Sequence, residues 1–205
     1  MTDTYWAKLH AMYSDKDWIH KPSLFAETVR DHIPKAGKLL DLGAGLGQDS
    51  IFFNELGYEV TSTDLNVDRL QELVHDEFEV RVVDLRQLLP FSDAHFDIVY
   101  AHVSLHYFDE QVTRQIFDEI YRVLKPGGVV AFFTNSIDDP EYGTGVHIEP
   151  DYYEIDGTPK RYFSVATAKQ FAHNFQPLLA DNDGETYKDR AKGIHNLIRY
   201  VGTKA

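Results

Sequence analysis

The chain contains no cysteine. That excludes disulfides, thiolate zinc sites and a cysteine nucleophile, and it suits a reducing compartment. Positive charge is also scarce: 20 Lys and Arg stand against 33 Asp and Glu, a net charge of −13. A nucleic-acid binder replaces counterions on phosphates with basic surface, and an anionic membrane makes the same demand. Neither is expected as a partner, and a small neutral or cationic substrate fits the net charge better. No apolar stretch approaches membrane-spanning length. The N-terminal Met1-Thr2-Asp3-Thr4-Tyr5-Trp6 has no basic region leading into an apolar run. Neither a membrane span nor a signal peptide is therefore expected, and the chain reads as cytoplasmic. Repeats and low-complexity segments are missing as well. What remains is 205 residues with 43% apolar content, enough for one α/β domain over 1–205 and too little for two sizeable cores.

Residues 37–134 alternate short apolar runs with amphipathic segments. Strands are predicted at Lys38-Leu39-Leu40-Asp41, Tyr58 to Thr63, Glu79 to Val83, Phe96 to Tyr100 and Val129 to Thr134. Helices are predicted over Leu46 to Leu56 and Val67 to Val74. Another begins near the N-cap candidate Asp109, with Val112, Ile116, Ile120, Val123 and Leu124 on one face. Lys125-Pro126-Gly127-Gly128 ends that helix, because Pro cannot continue it and Gly accepts the left-handed turn. Strands separated by helices imply an open, mostly parallel sheet covered on both faces.

The flanks differ from this core. Residues 1–36 read as a helical lid. Pro22 suits a first helical turn, Phe25, Val29 and Ile33 form an apolar stripe, and Tyr5, Trp6, Tyr13 and Trp18 precede it. Residues 135–163 are polar and rich in Gly, Pro, Asp and Tyr, as in an insertion or substrate lid. In 164–205, Ser164 caps a helix with Ala168, Phe171, Ala172 and Phe175 inward. A terminal β-hairpin follows, its turn near Asp181-Asn182-Asp183-Gly184 or around Asp189 to Gly193.

The strongest local signal is Asp41-Leu42-Gly43-Ala44-Gly45-Leu46-Gly47, a glycine-rich turn between the first strand and the first helix of the core. A dinucleotide site needs G-x-G-x-x-G/A, and from Gly43 the last of those positions is Gln48. A phosphate loop of the Walker type would need Gly-Lys-Ser/Thr, which is not there. Asp41 lies two residues before the first glycine, where a carboxylate repels phosphate and attracts an ammonium. Asp64 follows the second strand, 23 residues on. An acid there can accept hydrogen bonds from ribose hydroxyls, and Asp84 with Leu85 closes the third strand, where adenine could be held.

Together these residues resemble the class I S-adenosylmethionine-dependent methyltransferases, of the small bacterial and archaeal type with small-molecule substrates. Leu39 to Gly47 is similar to that family's first motif, and Gly57 to Asp64 to its second strand and ribose acid. Leu89 to Val99 is similar to the stretch entering strand four, and Leu124-Lys125-Pro126-Gly127-Gly128 to the turn before strand five. The resemblance runs from about residue 37 to 134 and is loose outside it. It implies a Rossmann-like, seven-stranded sheet with an antiparallel last strand. It also implies S-adenosyl-L-methionine as cofactor, held by Asp41, Gly43, Ala44, Gly45, Asp64, Leu65, Asp84, Leu85 and the backbone near Ala101, with Tyr13 closing over it. The methyl acceptor is expected to be a small molecule and the protein a monomer or homodimer. A non-catalytic binder of the same cofactor and a nicotinamide-dependent oxidoreductase are the alternatives.

His106, in the stretch after strand four, is the candidate general base; a helix-start histidine packed under the lid is the other reading. Tyr5, Trp6, Tyr13 and Trp18 either stack on the sulfonium or pack an N-terminal helix on the sheet. His147, Glu149 and Asp151 alternate along an extended segment, but no further ligand cluster accompanies them, so no metal is expected. Arg161 either pairs a substrate carboxylate or bridges Glu154 or Asp156.

Overall fold

The computed structural model describes residues 3–13, 21–74, 78–186 and 195–205. Its frame is a seven-stranded sheet in the order β3-β2-β1-β4-β5-β10-β9. The parallel part comprises β1 (Lys38–Leu42), β2 (Glu59–Asp64), β3 (Glu79–Val82), β4 (Phe96–His102) and β5 (Leu124–Thr134). β10 (Leu197–Lys204) lies between β5 and β9 (Phe175–Gly184) and runs against both, so it is the one reversed strand of this sheet and β9 has the direction of β1 to β5. The expected Rossmann-like, mostly parallel seven-stranded sheet with an antiparallel last strand is thus present. No helix among the described residues is long and apolar enough to cross a membrane.

Alternation along the strands sorts the core into two layers. Leu40, Leu42, Val99, Val130 and Phe132 face one way and meet Ile116, Phe117 and Ile120 of α5 (Glu110–Val123) and Ala168 and Phe171 of α6 (Val165–Phe171). Leu39, Val60, Ile98, Tyr100 and Phe133 face the other way. They meet Phe25, Ala26 and Val29 of α2 (Leu24–Val29) and Phe53 of α3 (Gln48–Glu55). A shorter helix, α4 (Asp68–Val74), packs Leu70 and Val74 against Ala44 and Ile51 at the edge of that second layer.

The caps follow the sequence closely. Asp109 accepts the amide of Val112 at the start of α5, and Ser164 with Thr167 forms a capping box on α6. Four expectations shift. Ser23, not Pro22, caps α2, so Pro22 lies just before the helix rather than in its first turn. Strand β5 begins at Leu124, paired with Phe96; the next pair is Ile98 with Val129, so Lys125 to Gly128 bulge out between two paired positions. Phe175 opens β9 instead of ending α6, although it is buried as expected. Asp181 to Gly184 lie within β9 instead of forming the hairpin turn: Gly184 pairs with Leu197 and Asp181 with Arg199 across a bulge, and Arg199 holds the Asp181 carboxylate with two bonds of 2.8 Å. Polar residues are tolerated there because β9 is an edge strand facing water. The alternative turn around Asp189 to Gly193 lies outside the described residues.

The polar insertion is an ordered unit of its own, a three-stranded antiparallel sheet of β6 (Val146–Glu149), β7 (Tyr152–Ile155) and β8 (Thr158–Arg161). It is latched to the segment that follows β4. The amide of Arg161 donates to His106 O at 2.7 Å, Tyr152 Oη to Tyr107 O at 3.1 Å, and Arg161 Nε to Phe108 O at 3.1 Å. The amide of Glu110 donates to Glu149 Oε1 at 2.6 Å. Arg161 is buried, ion-pairs with Glu149 and lies over the Tyr152 ring. It therefore bridges neither Glu154 nor Asp156, and it is spent on the frame rather than on a substrate.

On the other face, Asp49 joins three elements. Its carboxylate accepts Ser23 N at 2.7 Å, Ser23 Oγ at 2.8 Å and Tyr100 Oη at 2.7 Å, at 3% exposure in the first turn of α3. Asp49→Ala leaves a buried phenol, amide and hydroxyl without their acceptor, at about 1–3 kcal/mol per unsatisfied group. The expected outcome is a markedly lower thermal midpoint in calorimetry; a midpoint matching wild type would remove this carboxylate from the account of stability.

Candidate functional site

At the carboxyl ends of β1 to β5 the chain encloses an open cavity of about 1100 Å³. Ligand pockets typically measure about 300–1,000 Å³, so there is room for a nucleoside-sized molecule and a second small one. One half is formed by the glycine loop and the ends of β2 and β3. The other is formed by the segment after β4, the insertion and the N-terminal helix α1 (Asp3–Tyr13).

Among the expected residues, Gly43, Ala44, Gly45, Asp64, Leu65, Asp84 and Leu85 all line this cavity, and so does His106. Gly43 has φ +75°, and a Cβ there would come within 2.4 Å of Ser104 Cβ, so the loop after β4 can approach only a glycine. Ser104 fixes that approach by donating to Leu42 O at 2.5 Å. The amides of Gly43 and Ala44 both donate to Thr63 O at 2.8 Å, which ties the loop to β2 rather than offering those N–H groups to a ligand.

Asp64 is 8% exposed, and each oxygen already accepts one amide: Gly45 N at 3.0 Å and Asn66 N at 3.1 Å. A carboxylate has about four acceptor sites, so capacity for two hydroxyls remains. Burial raises its pKa, and the nearby His10 works against that shift. Asp84 is held differently. Arg86 forms a two-pronged pair with it, Nε to Oδ1 at 2.8 Å and Nη2 to Oδ2 at 2.7 Å, which keeps its pKa below the usual range. Its carboxylate reaches the cavity wall already paired.

Two of the expected residues lie off the cavity wall. Asp41 does not line the cavity. It is 2% exposed, and its Oδ2 accepts Ser50 Oγ at 2.6 Å beneath the loop. Burial, with Asp49 and Asp64 adding like charge, pushes its pKa up to about 8 despite the Ser50 hydrogen bond. Burial thus disfavours its charged form, the form that would draw an ammonium. Ala101 itself is buried at 1% exposure and is not part of the wall, but the chain directly after it, His102, Val103 and Ser104, is. The side chain of Tyr13 and the whole of Trp18 lie outside the described residues.

The acceptor half contains residues the sequence reading did not single out. His10 of α1 lines the wall, is 6% exposed, and its Nδ1 is buried without a partner. Trp6 also lines it and meets Tyr107 edge to face at 4.9 Å, while Tyr5 Oη bonds Thr158 Oγ1 at 3.2 Å. The N-terminal aromatics thus close one side of the cavity. Asn135, Asp139, Glu141 and Lys160 come from β5's end and the insertion. Asp and Lys in a polar loop read as solvated surface, and only the folded insertion turns them inward. His147, Glu149 and Asp151 have separate engagements: His147 lies against the Tyr153 ring, Glu149 pairs with Arg161, and Asp151 accepts Tyr142 Oη.

His106 is 3% exposed with Nδ1 unpartnered, and its pKa is pushed down to about 3 by burial, then by Lys160 and His102. His102 lies flat on Phe133, centroids 5.0 Å apart and planes within 2°, and burial lowers its pKa too. Both rings are neutral at neutral pH.

The state of Asp41 makes a prediction with a definite sign. Its folded pKa is above its unfolded one, so the native chain binds the extra proton between about 4 and about 8, and stability falls as pH rises through that window. Asp41→Asn has no proton to lose. Between about pH 6 and about pH 9 the wild-type thermal midpoint should fall further than that of the variant. Equal falls would show that Asp41 ionises normally.

Residues 40–132 match the family model described as a methyltransferase domain. The chain is 29% identical over 127 residues to a malonyl-[acyl-carrier protein] O-methyltransferase of Enterobacter lignolyticus, covering 62% of this chain and 50% of that one. It is 34% identical over 115 residues to the putative methyltransferase YqeM of Bacillus subtilis, covering 53% of this chain and 46% of that one. The chain thus spans about half the length of these curated relatives. Among solved structures, the 1,6-didemethyltoxoflavin-N1-methyltransferase of Burkholderia thailandensis superposes with a TM-score of 0.74 at 21% identity, covering 98% of this chain and 84% of that one. The motif-bearing core thus matches a methyltransferase domain over residues 40–132, and the fold around it is similar to that of a solved methyltransferase.

Proposed function

We propose that the chain transfers a methyl group from S-adenosylmethionine to a small-molecule acceptor. The observation that carries this reading is the two-part cavity: strand-end acids and the glycine loop on one side, aromatic and polar residues of α1 and the insertion on the other. The cofactor half fits the molecule. A Cβ at Gly45 would find His10 Nε2 at 3.8 Å as its nearest atom, so the loop there faces open space. Asp64 and Leu65 would hold the ribose, and Val83, Asp84 and Leu85 the adenine. Bound there, the cofactor supplies a methyl group on a cationic sulfur, which needs only an aligned nucleophile.

The work of this chain is then to align and to exclude water. Trp6 and Tyr107 cover the cavity, and the latch between the insertion and residues 106–108 fixes the wall against which an acceptor rests. A ring with a pKa near 3 is a poor proton acceptor, so His106 serves by position and hydrogen bonding rather than as a general base. The malonyl-[acyl-carrier protein] O-methyltransferase relative supports a methyl-transfer reading; its acceptor belongs to that protein. The acidic net charge and a cavity of this size both favour a small acceptor over a polynucleotide.

Two measurements test the reading. S-adenosylhomocysteine should raise the thermal midpoint and NAD should not, because only a ligand of the native state stabilises it. The reverse result would point to an oxidoreductase. Asp64→Ala should keep the circular dichroism of the wild type and bind S-adenosylhomocysteine at least about tenfold more weakly by calorimetry, as expected for lost hydrogen bonds to a charged group. Unchanged affinity would remove Asp64 from the site.

A further inference from the structure

The acceptor half carries a charge arrangement that the family match does not specify. Adjacent residues on a strand point to opposite faces. On β8, Arg161 turns to Glu149, and Lys160 lines the cavity with only 23% of its side chain exposed. The Lys160 ammonium pairs with Glu141, which is half exposed, and its field also reaches His106. A pair with an exposed carboxylate is worth little and exchanges readily for a better-placed anion. His106 and His102 both line the cavity, and His102 lies close enough to disfavour charge on His106. A neutral imidazole carries one N–H donor. One ammonium and two imidazole rings, each able to supply an N–H donor, therefore line this end of the cavity, beside an apolar wall of Trp6, Tyr107 and Phe108.

The same end holds no strong base among the described residues. Asp139 Oδ1 accepts Glu141 N at 2.8 Å, and Glu141 is paired with Lys160. Carboxylates are in any case far too weak to ionise an alcohol or phenol. An acceptor group that is already ionised needs no such help, and a carboxylate is ionised at neutral pH.

We propose that the methyl acceptor is a small molecule bearing a carboxylate, seated at Lys160 and the His102 and His106 rings and methylated on oxygen. The proposal rests on the methyltransferase reading above. A carboxylate oxygen attacks the methyl carbon; the O–C bond forms, the C–S bond breaks, and its electron pair stays on sulfur as a neutral thioether. The product is a methyl ester, and no proton moves. This departs from the neutral or cationic substrate that net charge alone favoured. Surface charges are screened within about 8–10 Å at ordinary salt, so the wall of the cavity decides.

The test uses protein loaded with S-adenosylhomocysteine and three probes of matched shape: phenylacetate, phenylacetamide and phenethylamine, titrated by ligand-observed NMR. Phenylacetate should bind about tenfold more tightly than either neutral or cationic probe, and Lys160→Gln should abolish that preference while Lys160→Arg retains part of it. S-adenosylhomocysteine affinity should be the same in all three proteins. Equal or tighter binding of the amide or amine, undetectable binding of phenylacetate, or a preference that survives Lys160→Gln would each overturn the proposal. A second arm supplies methyl-labelled cofactor and a cell extract freed of macromolecules: label released by alkali as methanol supports an ester, and alkali-stable label overturns it. Failure of wild type to bind S-adenosylhomocysteine would instead sink the methyltransferase reading, so the two failures are distinguishable.

Discussion

The architecture hangs on the Asp49 carboxylate. It receives Ser23 from the segment before α2 and Tyr100 from β4, and it lies in the first turn of α3, where the helix dipole favours negative charge. Three elements far apart in sequence are thereby fixed at one point beneath the cavity. Ser23 also caps α2 through Ala26 N, so the same hydroxyl serves the cap and the anchor. With the floor set in this way, Ser50 and Ser62 link Asp41 to β2, and the glycine loop lies over a closed polar network. A buried network is costly when half satisfied and rigid when complete. Here it is complete around Asp49, and rigidity at the floor is what a site for alignment needs.

Much of the core was legible in the sequence. The glycine loop, Asp64 and the alternation of apolar runs marked β1 to β5 and the cofactor half, because each feature has a short-range physical signature. Asp41 lies beneath the loop and not in the cavity wall. Proximity along the chain put it near the ligand, but Asp41 shares the face of Leu39, which packs toward α2 and α3, and so it points under the loop. The sequence marks residues 135–163 as an insertion or lid but assigns no strands there, because the strands are only four residues each and only Val146-His147-Ile148-Glu149 of β6 alternates apolar with polar residues. Their order comes from long-range contacts: Arg161 in the interior, and Gly145, whose hypothetical Cβ would come within 2.3 Å of Glu154 O. Lys160 and His10 had no local signature at all, since a single lysine or histidine in a polar stretch reads as surface.

The two halves of the cavity are built on different principles. The cofactor half is backbone and strand ends, fixed by the parallel sheet. The acceptor half is side chains from α1, the segment after β4 and the insertion, held by specific polar contacts. The methyltransferase-domain match, over residues 40–132, covers the cofactor half and, of the acceptor half, only the segment after β4. Similarity in that core therefore carries information about the donor and almost none about the acceptor, for which the charged and aromatic residues outside it must be read directly.

The latch between the insertion and residues 106–108 has a consequence for how such a chain could diversify. Three successive carbonyls are held by β7 and β8, so the path of the main chain past the reaction centre is fixed irrespective of which side chains it carries. Substitutions at His106, Tyr107 or Phe108 would then alter the shape and polarity of the wall without altering its course. The insertion acts as a mould: it allows the lineage to try new acceptors by exchanging side chains one at a time, while the distance to the methyl donor stays constant.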